Sequence, residues 1–195
     1  MLFVILFTIL FAVTFLSLGY LLGQMKITKT NKTSYLARAA VIATIYALIT
    51  ALFKPISYGT IQVRVSEALT LLPLVESSAV PGLFIGCLIA NIFSPYGWYD
   101  MLFGTLATLI AACLTRAIAV NRKWFGKHSE LMPVFAVFPP IFINALILPL
   151  MWYLFMGDKG YFINMWTILA TQSAVIFILG LPLYYGIKKT GIHLK

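Results

Sequence analysis

Charge is scarce in this chain. Charged residues make up 10% of its 195 residues, five of them acidic, whereas a soluble domain carries about 25%. That shortage excludes an ordinary cytoplasmic globule, a disordered tail and a fibrous protein. There are two cysteines, Cys87 and Cys113, both inside apolar runs. A disulfide framework is therefore not indicated, and small buried packing is their simplest role. The two histidines, His128 and His193, lie beside lysine-rich ends and not within the apolar runs. An intramembrane Ser/His hydrolase or a His/Cys metal centre has no obvious parts here, so neither a metal nor another cofactor is expected. No GxxxxGK[ST] loop occurs. Active transport by this chain would need energy from another subunit or from an ion gradient.

Apolar residues are abundant, at 62%, and come in runs near the ~20 residues that cross a bilayer as helix. The chain reads as an all-α integral membrane protein. Residues 1–22 carry no charge, and the lysines follow that run, where a cleaved signal peptide would place them before it. An extra N-terminal transmembrane helix over 1–24 is expected, ahead of a membrane domain over 25–195. Met25 itself opens a stretch that looks like an ordinary protein start. Further spans fall at about 35–53, 65–77, 79–93, 99–120, 132–156 and 162–187. The second and third are short and broken around Pro73 and Pro81–Gly82, a pattern that often lines a cavity because the freed backbone groups need partners.

The net charge of +9 reads as topology and not as nucleic-acid binding. If the 23–36 loop faces the cytoplasm, that side collects eleven basic residues: Lys26, Lys29, Lys32, Arg38, Arg116, Arg122, Lys123, Lys127, Lys188, Lys189 and Lys195. The other side holds Lys54, Arg64 and Lys159. This places the C-terminus in the cytoplasm and, if helix 1–22 spans, the N-terminus outside the plasma membrane.

Four polar or small-residue features stand out. Ala39, Ala43, Ala47 and Ala51 recur every four residues on one helix face, suited either to packing within the chain or to docking a partner helix. Arg64 and Glu67, just after Gln62, are three apart, and the pair either fixes a helix start or faces a substrate cavity. Asn91, Trp98, Tyr99 and Asp100 cluster near two span ends; the aromatics suit an interfacial belt, and Asp100 suits a helix N-terminus or a ligand's N–H groups. Asn144 and Thr171-Gln172-Ser173 place amides in the last two spans, where they can join helices or read a ligand's polar edge. Glu76 reads as a turn or partner-contact residue. Glu130, Asp158 and Lys159 read as solvated loop charges.

The strings PISYGTIQVRVSEALTLLP (55–73), VPGLFIGCLIAN (80–91) and YDMLFGTLATLIAA (99–112), with INALI and GLPLYY further on, resemble the QueT family of queuosine-precursor transporters. The resemblance runs over about residues 34–187. It implies a six-helix substrate-binding S component of an energy-coupling factor (ECF) transporter, with both ends of that domain cytoplasmic. Such a subunit captures a deazaguanine and works with a transmembrane coupling subunit and two ATPase subunits. It also implies that Ala39, Ala43 and Ala47 pack against the coupling subunit. The chain departs from the family in its extra N-terminal helix and in Gln172, where the family often carries a glutamate.

A deazaguanine presents N–H donors beside a carbonyl, which carboxylates and amides match, and a flat ring, which aromatics stack on. Glu67, Asp100, Arg64, Gln62, Asn91, Asn144 and Gln172, with Trp98 or Trp152 as stacking planes, supply those types. Two other readings fit the composition: a self-sufficient secondary carrier, and an S component for another vitamin-like ligand. A membrane enzyme would need a nucleophile–base pair that the histidine positions do not supply.

Overall fold

In the computed structural model the described residues are 32–58 and 61–190, with the isolated positions Ala12, Leu16 and Gly19. The helix expected over 1–22 otherwise lies outside them, as do Lys26, Lys29, His193 and Lys195. The described residues are helical and contain no strand. Four stretches are long and apolar enough to cross a membrane: Lys32–Leu52, Asp100–Val120, His128–Phe155 and Tyr161–Lys189. Two shorter apolar helices, Val65–Leu74 and Ala79–Asn91, lie between the first and second of them. These elements fall on the expected spans to within a few residues.

Helix α1 (Lys32–Leu52) buries one ridge, Tyr35, Ala39, Ala43, Tyr46 and Thr50, at the three- and four-residue spacing of a single helical face. Its opposite face exposes Leu36, Val41, Ile45, Leu48 and Leu52. An exterior this apolar is at home in lipid, where side chains facing outward need no polar atoms. Helix α2 (Ala79–Asn91) packs on the buried ridge through two glycines. A Cβ added at Gly82 would stand 2.8 Å from the Ala39 carbonyl oxygen, and one at Gly86 would stand 2.8 Å from that of Ala43. The two backbones are in contact because all four positions are small. This corrects the docking expectation at two positions: Ala39 and Ala43 are consumed by α2, and only Ala47, half-buried, borders the outer face.

The second element is a 3₁₀ helix, Val65–Leu74, where an α-helical span was expected. Ten residues is long for this conformation, whose side chains eclipse every third position. It persists at the centre of the bundle, with eight of its ten residues buried. It packs against α1, α2 and α3 (Thr105–Val120) and against a π turn, Ile176–Gly180. A Cβ at Gly180 would lie 3.2 Å from the Ala68 carbonyl oxygen, so that turn too makes a close approach. Arg116 of α3 donates from Nη1 to the Pro73 carbonyl at 3.1 Å and closes the end of the 3₁₀ helix.

Glu76, in the turn that follows, is bound within the chain. Its Oε2 accepts from Arg38 at 2.9 Å and its Oε1 from the Ser78 amide at 3.0 Å. Helices α4 (Phe138–Phe155) and α5 (Tyr161–Val175) pack against each other, and α4 also packs on α3. After the π turn, α6 (Leu181–Lys189) ends the described chain, with Pro182 in its first turn. The 122–131 segment, expected as loop, is irregular 3₁₀ helix with Gly126 at φ 48°.

Candidate functional site: a buried polar cluster

Three of the four buried charged residues among those described meet at the N-terminal end of the 3₁₀ helix; the fourth, Glu76, follows its other end. Arg64 is 3% exposed, Glu67 1% and Asp100 0%. Glu67 lies in the first turn of the 3₁₀ helix, and Asp100 opens a five-residue π turn, Asp100–Gly104, at the head of α3. Turns of this kind recur at functional sites because they re-aim side chains out of the regular α pattern. Asp100 Oδ2 accepts from the Ser94 hydroxyl and its Oδ1 has no hydrogen-bond partner among the described residues, so the capping role open to it in the sequence is not the one it takes.

The two carboxylates sit in different settings. Glu67 accepts from the Tyr46 hydroxyl at 2.5 Å on Oε1 and from the Asn144 amide at 3.2 Å on Oε2, joining α1, the 3₁₀ helix and α4. Asp100 accepts from the Ser94 hydroxyl at 2.7 Å on Oδ2, the same oxygen that lies 3.7 Å from Arg64 Nη2. The ion pair of this cluster is thus Arg64–Asp100. The alternative pairing of Arg64 with Glu67, natural from their spacing, is not the one formed.

Cys87 is the hub between them. Its sulfur takes the Asn91 amide at 3.3 Å, the Thr108 hydroxyl at 3.2 Å and Arg64 Nη1 at 3.8 Å. Sulfur is a weak acceptor, so three good donors rest on a poor one. Asn91 also donates to the Asp100 carbonyl at 2.9 Å. The Arg64 guanidinium lies 5.5 Å from the Tyr58 ring centre, a cation–π arrangement, and the Tyr58 hydroxyl donates to the Ala90 carbonyl at 2.6 Å. Burial raises the Tyr58 phenol above its ordinary range; Arg64 pulls it down, and Asp100 and Cys87 push it up. Tyr96 is raised by burial and then by Asp100 and Asp158. Both phenols are therefore protonated donors at neutral pH.

Buried polar atoms of the cluster that have no hydrogen-bond partner among the described residues are Arg64 Nε and Nη2, Asn91 Oδ1 and Asp100 Oδ1; elsewhere Gln62 Oε1, Trp152 Nε1 and Gln172 Oε1 are also unpartnered. A buried polar atom left unpaired costs about 1–3 kcal/mol. A ligand that satisfied such atoms would recover that cost, and this makes the cluster the candidate site.

The structure gathers Arg64, Glu67, Asn91, Asp100 and Asn144. Trp152 is buried and stacks obliquely on Tyr96 at 5.2 Å, within the Phe103–Leu148–Met151 apolar cluster. Gln62 is buried and donates to the Ser57 carbonyl at 3.0 Å, and Gln172 is buried on α5; neither touches the two carboxylates. Trp98 stands apart, 58% exposed and stacked on Tyr99 at 4.0 Å. Tyr46, Tyr58, Ser94 and Thr108 join the cluster without having been singled out, and Cys87, read from the sequence as a small packing residue, joins it as well. Tyr46 had a signal, since a phenol on a membrane helix's buried ridge needs a hydrogen-bond partner. Cys87 had another: it lies four residues before Asn91, on the same helical face.

A half-open, apolar hollow of about 170 Å³ lies beside this cluster, lined by Ala51, Lys54, Tyr58, Ala90 and Phe93. Tyr58 is common to both.

Comparison with known proteins follows the same residues. The chain is 29% identical over 156 residues to a protein of Lactococcus lactis subsp. cremoris (strain MG1363) named Queuosine precursor transporter QueT, covering 77% of this chain and 90% of that one. No solved structure matches. The family described as QueT transporter matches residues 36–189, a stretch that holds most of α1, the 3₁₀ helix and every member of the buried cluster. With that match over most of its length, and with four apolar helices able to cross a membrane, the chain belongs to the QueT transporter family.

Proposed function

We propose that this chain is the substrate-capture S component of an ECF importer, binding a deazaguanine precursor of queuosine from outside the cell. The observation that carries the reading is the set of unpartnered buried atoms around Arg64, Asn91 and Asp100. Acceptors on Asp100 and Asn91 suit the ring's N–H edge, and Arg64 suits its carbonyl. Trp152, with its indole N–H unpartnered beside Tyr96, offers an aromatic face for the flat ring. Glu67, held by Tyr46 and Asn144, fixes the 3₁₀ helix against α1 and α4 and completes the charge of the pocket.

On this reading the six elements from Lys32 to Lys189 form the S-component domain, with the Arg64–Asp100 end outward and the Arg38–Glu76 end toward the cytoplasm. A coupling subunit and two ATPases supply the energy. With Ala39 and Ala43 taken up by α2, the small-residue contact with the coupling subunit falls on the exposed side of α1, where Ala40, Thr44 and Ala51 follow one another beside Ala47. Thr44 already donates to the Ala40 carbonyl at 2.9 Å, so its hydroxyl adds no unmet demand to that ridge.

The test is binding of radiolabelled deazaguanine to the purified full-length chain, with Asp100→Ala and Glu67→Ala as variants that must still fold. Saturable binding lost in both variants supports the site. Binding of riboflavin or another vitamin in its place would sink the substrate assignment. Uptake by the chain reconstituted alone, driven by a proton or sodium gradient, would replace the S-component role with that of a secondary carrier.

A further inference from the structure

The end of the bundle opposite the Arg64–Asp100 cluster is basic, and the fold concentrates that charge. Asp100 stands at the head of α3, whereas Arg122 and Lys123 follow its far end and are exposed. The 122–131 segment folds back on itself, with Arg122 Nη2 donating to the Ser129 hydroxyl at 3.4 Å. Its Phe125 packs on the apolar cluster that holds Met132, Ala136 and Tyr184, so the segment lies against α6. Arg122 is within electrostatic reach of the same Tyr184. Lys188 stands one helical turn beyond Tyr184, and both it and Lys189 are exposed. Topology asks only that basic residues stay on one side of the membrane. Here two segments far apart in sequence bring four of them to one corner.

Little at this end cancels the charge. Of the described carboxylates there, Glu76 is held by Arg38 and the Ser78 amide, and Glu130 is exposed in the segment itself. None of Arg122, Lys123, Lys188 and Lys189 pairs with a carboxylate among the described residues. A column of rings rises from the same corner. Phe125 contacts Phe135 with ring centres 5.4 Å apart, Phe135 meets Phe138 at 6.3 Å, and Phe138 stacks on Phe142 at 5.8 Å. Phe135, Phe138 and Phe142 are all exposed, an apolar outer face suited to acyl chains. The basic residues lie at the foot of this column, at the level where headgroup phosphates follow the chains.

We infer that this corner binds an anionic phospholipid, its phosphate on Arg122, Lys123, Lys188 and Lys189 and its chains beside the Phe135–Phe142 face. A guanidinium fork and ammonium groups match phosphate oxygens. Groups of about four to eight basic residues next to a membrane span attract anionic lipid. An acidic protein surface would match the charge but leave the aromatic column without a role. The inference is independent of the ligand taken by the buried cluster.

The experiment uses the purified full-length chain in a neutral detergent. Fluorescent phosphatidylglycerol is the probe, and unlabelled phosphatidylglycerol or phosphatidylcholine is the competitor. The first carries a net negative charge; in the second, choline offsets the same phosphate. Phosphatidylglycerol is expected to compete about 10-fold more strongly. Salt at about 0.5 M should erase most of that preference, because exposed charges are screened. Arg122→Gln, Lys123→Gln, Lys188→Gln and Lys189→Gln combined should bring the ratio near one. Lys54→Gln with Lys159→Gln, exposed lysines at the opposite end, should leave it unchanged. Equal competition by the two lipids in the parent chain would overturn the inference, and that measurement needs no variant. A preference that survives in the fourfold variant, or that the double variant also loses, would overturn it too. Loss of uptake in the fourfold variant, with no lipid preference in the parent, would assign the corner to an acidic partner protein instead.

Discussion

Replacing Gly86 by alanine tests the packing that supports the site. In an unhindered helix the change stabilises by up to about 1 kcal/mol, because glycine gives up more backbone freedom than alanine. At Gly86 the new methyl would stand 2.8 Å from the Ala43 carbonyl oxygen, 2.8 Å from Tyr46 Cβ and 3.0 Å from Ala43 Cα. Two of these are backbone atoms of α1 and cannot rotate away. Relief requires the helices to separate, and overpacking of this kind costs about 1–3 kcal/mol. With two rigid contacts the cost falls near the upper end, so the net expectation is a loss of about 2 kcal/mol. Gly186→Ala is the control: it lies in α6, and nothing stands within 4 Å of its added Cβ. It should leave stability unchanged or raise it slightly. Both variants are compared with the parent by denaturant titration in detergent, followed by tryptophan fluorescence. Because Tyr46 donates to Glu67, Gly86→Ala should also weaken ligand binding. If Gly86→Ala proved as stable as Gly186→Ala, α1 and α2 would not be in backbone contact, and the internal role given to Ala39 and Ala43 would fail with it.

Other changes report on separate parts of the molecule. Tyr46→Phe removes the phenol donor from Glu67 and should cost about 1–3 kcal/mol, read by the same titration. Arg38→Met strips the partner from Glu76, itself 1% exposed; since the Arg38 side chain is 27% exposed, the loss should stay below the about 3–5 kcal/mol of a fully buried pair. Ligand affinity in Arg38→Met should be unaltered, because that pair lies at the opposite end of the 3₁₀ helix; a large drop would contradict this. Trp98→Ala should leave affinity unchanged in the radioligand assay, and a clear loss would return Trp98 to the site. Thr44→Trp on the exposed ridge of α1 should spare binding and abolish uptake in cells that hold the partner subunits; normal uptake would refute docking there.

Hydropathy was a good guide to where the helices lie, because a bilayer-crossing run and a buried helix share one signature, a continuous apolar stretch. It could not distinguish 3₁₀ from α over Val65–Leu74, since that choice depends on neighbours packing around Ala68 and Leu71 and on Arg116 closing the end. The polar residues were informative for a related reason. Arg64, Glu67, Asn91, Asp100 and Asn144 are each costly in an apolar setting, and they are found at one place. Pairing was less legible: Arg64 and Glu67 are neighbours in sequence, yet Arg64 finds Asp100 across the fold, because the π turn at the head of α3 brings that carboxylate in. The alanine stripe misled for a physical reason. Small residues mark close helix contact without naming the partner, and the partner of Ala39 and Ala43 was in the chain itself, in the Gly82–Gly86 pair.

The 3₁₀ helix also settles a matter of length. At a rise of about 2.0 Å per residue, its ten residues reach about 20 Å; as α-helix they would reach about 15 Å. Its neighbour α2 has thirteen residues and, at about 1.5 Å each, also reaches about 20 Å. The stretched helix goes out and the ordinary one comes back over the same distance, which returns Asn91 and Cys87 to the level of Arg64. Were Val65–Leu74 to relax to α geometry with the Glu76 turn held, Arg64 would be drawn about 5 Å and Glu67 about 4 Å along the bundle, away from Asp100 and Asn144. The alignment of the charged cluster is in this sense a measure of helix pitch.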